Sequence, residues 1–123
     1  MHTIIPVLQL IVAIGLLNVW LIRFNKSTRY RGGDARTMHQ EFDAYGLPPW
    51  SVYLVGGLKV GIALALIAGL WYPVLVVPGA LLLCVLMVGA LSMHWKIRDN
   101  LEKSLPALFM LLLAVSIAVG SIP

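Results

Sequence analysis

Apolar residues dominate four runs, Thr3 to Ile22, Trp50 to Tyr72, Val74 to Trp95 and Ser104 to Ile122, and polar residues collect between them. Each run approaches the about 20 residues that cross a hydrocarbon core of roughly 30 Å. Barrel strands would alternate in segments of about ten residues. No such alternation occurs, so the backbone must satisfy its own hydrogen bonds in helices. The pattern predicts an all-α fold: an integral membrane up-down four-helix bundle, one transmembrane domain over residues 1–123. Short connectors make consecutive spans antiparallel neighbours.

The polar stretch between the first two runs has its own period. Ala35, Met38, Phe42 and Tyr45 fall on one helical face, with Arg36, Thr37, Gln40 and Asp43 on the other. Asp34 after Gly32-Gly33 is the expected N-cap, and Gly46 before Pro48-Pro49 the expected stop. Residues 34–45 therefore predict a short amphipathic helix lying on the membrane interface or lidding the bundle. In the third run Pro73 and Pro78 sit in the first turns; in the fourth, Ser104 is the expected cap with Pro106 near N1.

Composition strengthens the membrane reading. A chain of 123 residues that is 60% hydrophobic has too little interior to bury its apolar side chains in water, so lipid must solvate the outer faces. Charge then gives an orientation. Of the nine Lys and Arg and five Asp and Glu residues, all but Lys59 lie in Arg23 to Asp43 or Lys96 to Lys103. Arg23, Lys26, Arg29, Arg31 and Arg36 follow the first run, and Lys96, Arg98 and Lys103 follow the third. The positive-inside rule puts connectors 23–49 and 96–103 in the cytoplasm and both termini outside the cell membrane. The first run carries its positive charge after the apolar core and lacks a small-residue cleavage site, so it is expected to stay as an anchor. Topology explains the net charge of +4, and without an aromatic-basic module no nucleic-acid partner is expected.

Few residues are left to carry chemistry. Lys59 is a costly charge inside a span. It lies about eight residues, or roughly 12 Å, from the start of its helix, and its stem is long enough to snorkel toward the interface. Val52, Val55, Ile62, Leu66 and Leu70 share its face, opposite a ridge of Gly57, Gly61, Ala65, Ala68 and Gly69. That face could look at lipid, while Gly56 and Ala63 on its flank leave room for a neighbouring helix. The ridge itself suits close packing within the bundle, or a homo-oligomer seam through Gly57, Gly61 and Ala65. Asn18 stands at a depth where it could pair with Lys59. Gln9 lies on the opposite face of its span, and an interhelical structural bond is the expected use of such an amide. Tyr53 and Tyr72 complete aromatic belts with Trp50 and Trp71.

His94 ends the third run, where it could titrate or hydrogen-bond the carbonyl of a quinone. Leu83, Met87, Ala90 and Leu91 share its face, so an apolar wall rather than a charged relay is expected beneath it. His2, His39 and His94 have no shared short spacing, which disfavours a metal site, and paired histidines for haem are absent. Cys84 is alone, so no internal disulfide chemistry is available. No intrinsic cofactor is expected, and a redox role would need a borrowed carrier such as a bound quinone.

The ordered set Phe42-Asp43-Ala44-Tyr45-Gly46-Leu47-Pro48, Val55-Gly56-Gly57-Leu58-Lys59-Val60 leading into Gly69-Leu70-Trp71, then Gly89-Ala90 with His94 and a charged turn before Leu105-Pro106-Ala107-Leu108, resembles the DoxX-like family of small four-span membrane proteins. The resemblance implies an all-helical bundle and an association with membrane redox complexes, and it matches Lys59 and His94 to commonly polar positions. It brings no agreed mechanism. Three readings follow. The first is an accessory or binding subunit that holds a quinone or lipid at Asn18, Tyr53, Lys59 and His94 and docks a membrane or cytoplasmic redox partner. The second is an enzyme with Lys59 as base and His94 or Glu41 as acid. The third is a structural protein that recruits partners through the glycine ridge.

Overall fold

The computed structural model describes residues 3–26, 28 and 30–122. His2 and Arg29, named above for metal binding and topology, lie outside the described residues. Helix α1, Ile4–Leu17, continues into a π-helical turn over Asn18–Ile22. A connector carries the short helix α2, Met38–Ala44, and is followed by α3, Trp50–Ala68. A tight turn with a 3₁₀ segment, Pro73–Leu75, leads into α4, Val76–Lys96, and a second turn into α5, Leu101–Ser121. Four of these segments, Ile4–Ile22, Trp50–Ala68, Pro73–Lys96 and Leu101–Ser121, are long and apolar enough to span a bilayer.

The four spans close a ring in which α1 touches α3 and α5, α3 touches α4, and α4 packs most extensively on α5. This is the up-down bundle that short connectors favour. Val12, Ala13, Leu16, Ile62, Ala63, Leu66, Leu83 and Ile117 fill its centre, while most large apolar side chains on the outer faces stay exposed, as lipid contact requires. A second cluster of Trp20, Met38, Phe42, Tyr45 and Val52 packs where α2 lies across the end of the bundle that carries the basic connectors.

Helix ends are satisfied one group at a time. At the end of α3, Gly69 N bonds Ala65 O, Leu70 N bonds Ile67 O, and Trp71 N bonds Ala68 O. The Leu66 carbonyl goes instead to the buried Gln9 side chain, whose Nε2 donates at 2.9 Å. That is the interhelical bond expected of the amide, spent on an orphan helix carbonyl.

Two boundaries depart from the pattern. Helix α2 starts at Met38 rather than near Asp34, because Thr37 is the cap: its Oγ1 accepts from Gln40 N at 3.2 Å, and Gln40 Oε1 accepts from Arg36 N at 2.8 Å. Gly46, at φ +78°, stops the helix where expected. Helix α5 begins at Leu101, so Pro106 lies inside it and Ser104 is no cap. Asn100 takes the cap position, its carbonyl accepting Lys103 N at 3.0 Å, because the preceding turn already aims the chain into the bundle.

The orientation of α3 settles the Lys59 face. Val52, Ile62, Ala63 and Leu66 are all buried, so this face looks inward, not at lipid. Gly57 and Gly61 are exposed, with open space where a Cβ would stand. Only the far end of the ridge packs internally, with Ala65 near Gly79 and Gly69 against Val76. Bulk decides this: branched and long residues fill a four-helix centre better than a glycine ridge does.

Candidate functional site

The densest polar constellation among the described residues lies at the basic end, under α2. It is assembled by three separate stretches of chain. The first is the connector, where Arg31 is 5% exposed and folds inward. Its guanidinium donates to the carbonyls of Lys26 at 3.0 Å, Phe24 at 3.3 Å and Arg23, and to Glu41 Oε2 at 3.1 Å. The second is the start and end of α2, which put Glu41 and Tyr45 one turn apart on the buried side, with the Tyr45 hydroxyl donating to Glu41 Oε1 at 2.6 Å.

The third stretch is the end of α4. Arg98 N bonds Trp95 O and Asp99 N bonds His94 O, the paired bonds of a helix that ends through a left-handed residue, here Arg98 at φ 55° rather than glycine. The turn swings Asp99 back over the helix, where its Oδ2 stands 2.7 Å from His94 Nδ1. Asp99 Oδ1 accepts Gly33 N at 2.9 Å and lies 3.9 Å from Lys103 Nζ, which itself donates to Gly33 O. His94 Nε2 meets the Tyr45 hydroxyl at 3.3 Å. An unbroken chain thus runs Arg31, Glu41, Tyr45, His94, Asp99, Lys103, with Lys96 Nζ fixing the Tyr45 carbonyl at 2.9 Å.

Gly32 makes this fit possible. A Cβ there would lie 2.6 Å from Tyr45 Cε1 and 2.9 Å from its hydroxyl, so the connector reaches the ring only as bare backbone. The apolar wall predicted beneath His94 is present in Leu83 and Met87, but a charged relay stands above it. A wheel drawn on α4 alone gives the wall but omits the groups delivered from above by the connector and the turn.

The other sequence candidates are held separately. Lys59 Nζ lies 5.2 Å from the centre of the Trp20 ring, a cation over an aromatic face, and Trp20 in turn rests against Gly56, where a Cβ would come within 2.8 Å of the ring. No hydrogen bond joins Lys59 to Asn18, which opens the π-helical turn. Tyr53 is exposed and its hydroxyl pairs with His39 Nε2 at 3.2 Å. Glu41 and His94 do converge, through Tyr45. Among the described residues no cluster of His, Cys, Asp and Glu could hold a metal ion.

A family model described as the DoxX-like family matches residues 32–116. The chain belongs to the DoxX-like family. It is also 31% identical over 78 residues to the uncharacterized protein YdgD of Bacillus subtilis (strain 168), an alignment covering 63% of this chain and 68% of that protein. No solved structure gives a significant match. The matched DoxX-like region contains Glu41, Tyr45, His94, Asp99 and Lys103, and starts one residue after Arg31.

Tyr45 governs how this DoxX-like site responds to alkali. Burial, the Glu41 charge, its hydrogen bond to Glu41 and the Asp99 charge all push the phenol far above its ordinary value of 10.0, against a smaller lowering by Arg31. An acid raised on folding contributes stability below its unfolded value and loses it as pH climbs. The window here opens near pH 10, where the unfolded phenol ionises and the folded one does not. Above it the wild type should lose up to about 1.4 kcal/mol per pH unit relative to Tyr45→Phe. Paired thermal melts at pH 9 to 11 in one detergent check this, and parallel curves would refute it.

An open concave feature lies apart from this hydrogen-bonded chain of side chains. Leu105, Pro106, Leu108, Phe109 and Leu112 of α5 form an open groove of about 430 Å³, with Tyr30 as the polar side chain of its lining.

Proposed function

We propose that this multi-pass DoxX-like protein is an accessory subunit that holds a lipophilic molecule with a polar head, a quinone or a membrane lipid, and works within a membrane redox assembly. The α5 groove carries the reading: an apolar wall on a membrane-facing helix that ends at a phenol suits a ligand with an apolar body and a polar tip. Basic residues at the same end, Arg23, Lys26, Lys96 and Arg98, favour a cytoplasmic position in the cell membrane. A ligand in this groove would sit at Tyr30 rather than among Asn18, Tyr53, Lys59 and His94, the last three of which hold different partners. The same separation weakens acid-base catalysis by Lys59 with His94 or Glu41. A homo-oligomer seam keeps one support, the open ridge at Gly57 and Gly61.

Gently solubilised full-length protein should carry a small molecule detectable by native mass spectrometry. Organic extraction then separates the sources, by ultraviolet absorbance for a quinone and by phosphorus for a phospholipid. Leu108→Trp, which fills the groove, should cut retention about tenfold or more, the equivalent of about 1.4 kcal/mol. Equal retention by this variant, or none by the wild type, would refute the reading, and the same spectra count copies and partners.

A further inference from the structure

Hydrogen-bond bookkeeping at Tyr45 is unusually restrictive. Its hydroxyl has one proton to give and lies between Glu41 Oε1 at 2.6 Å and His94 Nε2 at 3.3 Å, while His94 Nδ1 faces the Asp99 carboxylate at 2.7 Å. With Asp99 ionised, Nδ1 donates to it. The remaining contacts then admit one added proton and no other number. With none, the hydroxyl donates to one neighbour and turns a lone pair against a lone pair of the other. With two, both Glu41 and Nε2 are donors, and the hydroxyl's own proton has no acceptor among these three groups. With one, every contact is satisfied in either of two ways: Glu41 ionised and His94 doubly protonated, or both neutral with the direction of donation reversed.

We propose that Glu41, Tyr45, His94 and Asp99 form a proton-binding site that holds one exchangeable proton and passes it between Glu41 and His94 through the Tyr45 hydroxyl. Transfer toward Glu41 breaks the Nε2–H bond and forms an O–H bond on Tyr45, as the original Tyr45 O–H bond breaks and its proton bonds to Glu41. His94 and Glu41 end neutral and Tyr45 is unchanged. The strong upward push on the phenol keeps it protonated, as a relay must be. Side-chain exposure gives the site a direction: Glu41 is 13% exposed, against 6% for His94 and 5% for Asp99. Glu41 is the door and His94 the inner store.

Charges from every packed element bear on this proton. Arg31 faces Glu41 from the connector, and Lys103 faces Asp99 from α5. Lys96 of α4 holds the Tyr45 carbonyl, and Lys59 of α3 lies within the field of Glu41. The proposal stands on the hydrogen-bond geometry and does not need the lipophilic ligand.

Full-length protein in nanodiscs, labelled with ¹⁵N-histidine and titrated with pH, tests it. The His94 ring-nitrogen shifts and the carboxylic-acid infrared band of Glu41 should change at the same midpoints in the wild type, because both report one shared proton. Tyr45→Phe should separate the midpoints. Glu41→Gln should abolish the band and shift the His94 midpoint, which keeps the proposal falsifiable should Tyr45→Phe not fold. Separate midpoints in the wild type, coincident ones in Tyr45→Phe, or an unmoved His94 in Glu41→Gln would overturn it.

Discussion

Arg31→Met is expected to release the connector from the bundle at a cost of about 3–5 kcal/mol, the usual penalty for stranding one partner of a buried ion pair. The guanidinium is nearly out of contact with solvent and gathers the Arg23, Lys26 and Phe24 carbonyls together with Glu41. Methionine fills the volume and satisfies none of these acceptors. Lysine keeps the charge without the planar fork, so Arg31→Lys should recover only part of the loss. Limited proteolysis in nanodiscs reads the effect: residues 23–37 become cleavable while helix content, carried by the four spans, stays constant. Adding Glu41→Gln should return about 0.5–3 kcal/mol by removing the stranded charge. Wild-type resistance to protease in Arg31→Met would show that the connector is held by Phe42 and Tyr45 packing alone.

How much of this was legible depends on whether a feature is local. The four spans and the buried face of α2 follow from periodicity, and Met38, Phe42 and Tyr45 are indeed buried where it put them. The true cap of α2 was also local: Thr37 three residues before Gln40 is a capping-box signature, outranked by the more familiar Asp34 after two glycines. The direction of the Lys59 face stayed open for a different reason. Small residues were read as suited to close packing, but the centre of the bundle needed bulk, and Gly57 and Gly61 were left facing out. The relay itself was the least legible part. Glu41 and Tyr45 at spacing four on a buried face hinted at a polar pair, whereas the approach of Asp99 to His94 rests on Arg98 adopting a left-handed conformation that sequence would assign to glycine.

Asp99 therefore offers the second large effect, and two substitutions divide its duties. Asp99→Ala removes the acceptor of Gly33 N, the partner of His94 Nδ1 and the neighbour of Lys103 together. Leaving two buried donors unpaired should cost about 2–4 kcal/mol. Asp99→Asn retains an oxygen for Gly33 N, so the connector stays docked, but it turns an N–H toward Nδ1. His94 can then accept there only by giving up its Nδ1 proton, which leaves Nε2–H to donate to Tyr45. Amide exchange at Gly33 and the ¹⁵N shifts of His94 separate the two roles. Alanine should speed Gly33 exchange roughly tenfold or more, and asparagine should leave it protected while reversing which ring nitrogen carries the proton. If asparagine freed the connector as alanine does, the Asp99 charge and its pull on Lys103, rather than the hydrogen bond to Gly33, would be what joins the α4 to α5 turn to the first connector.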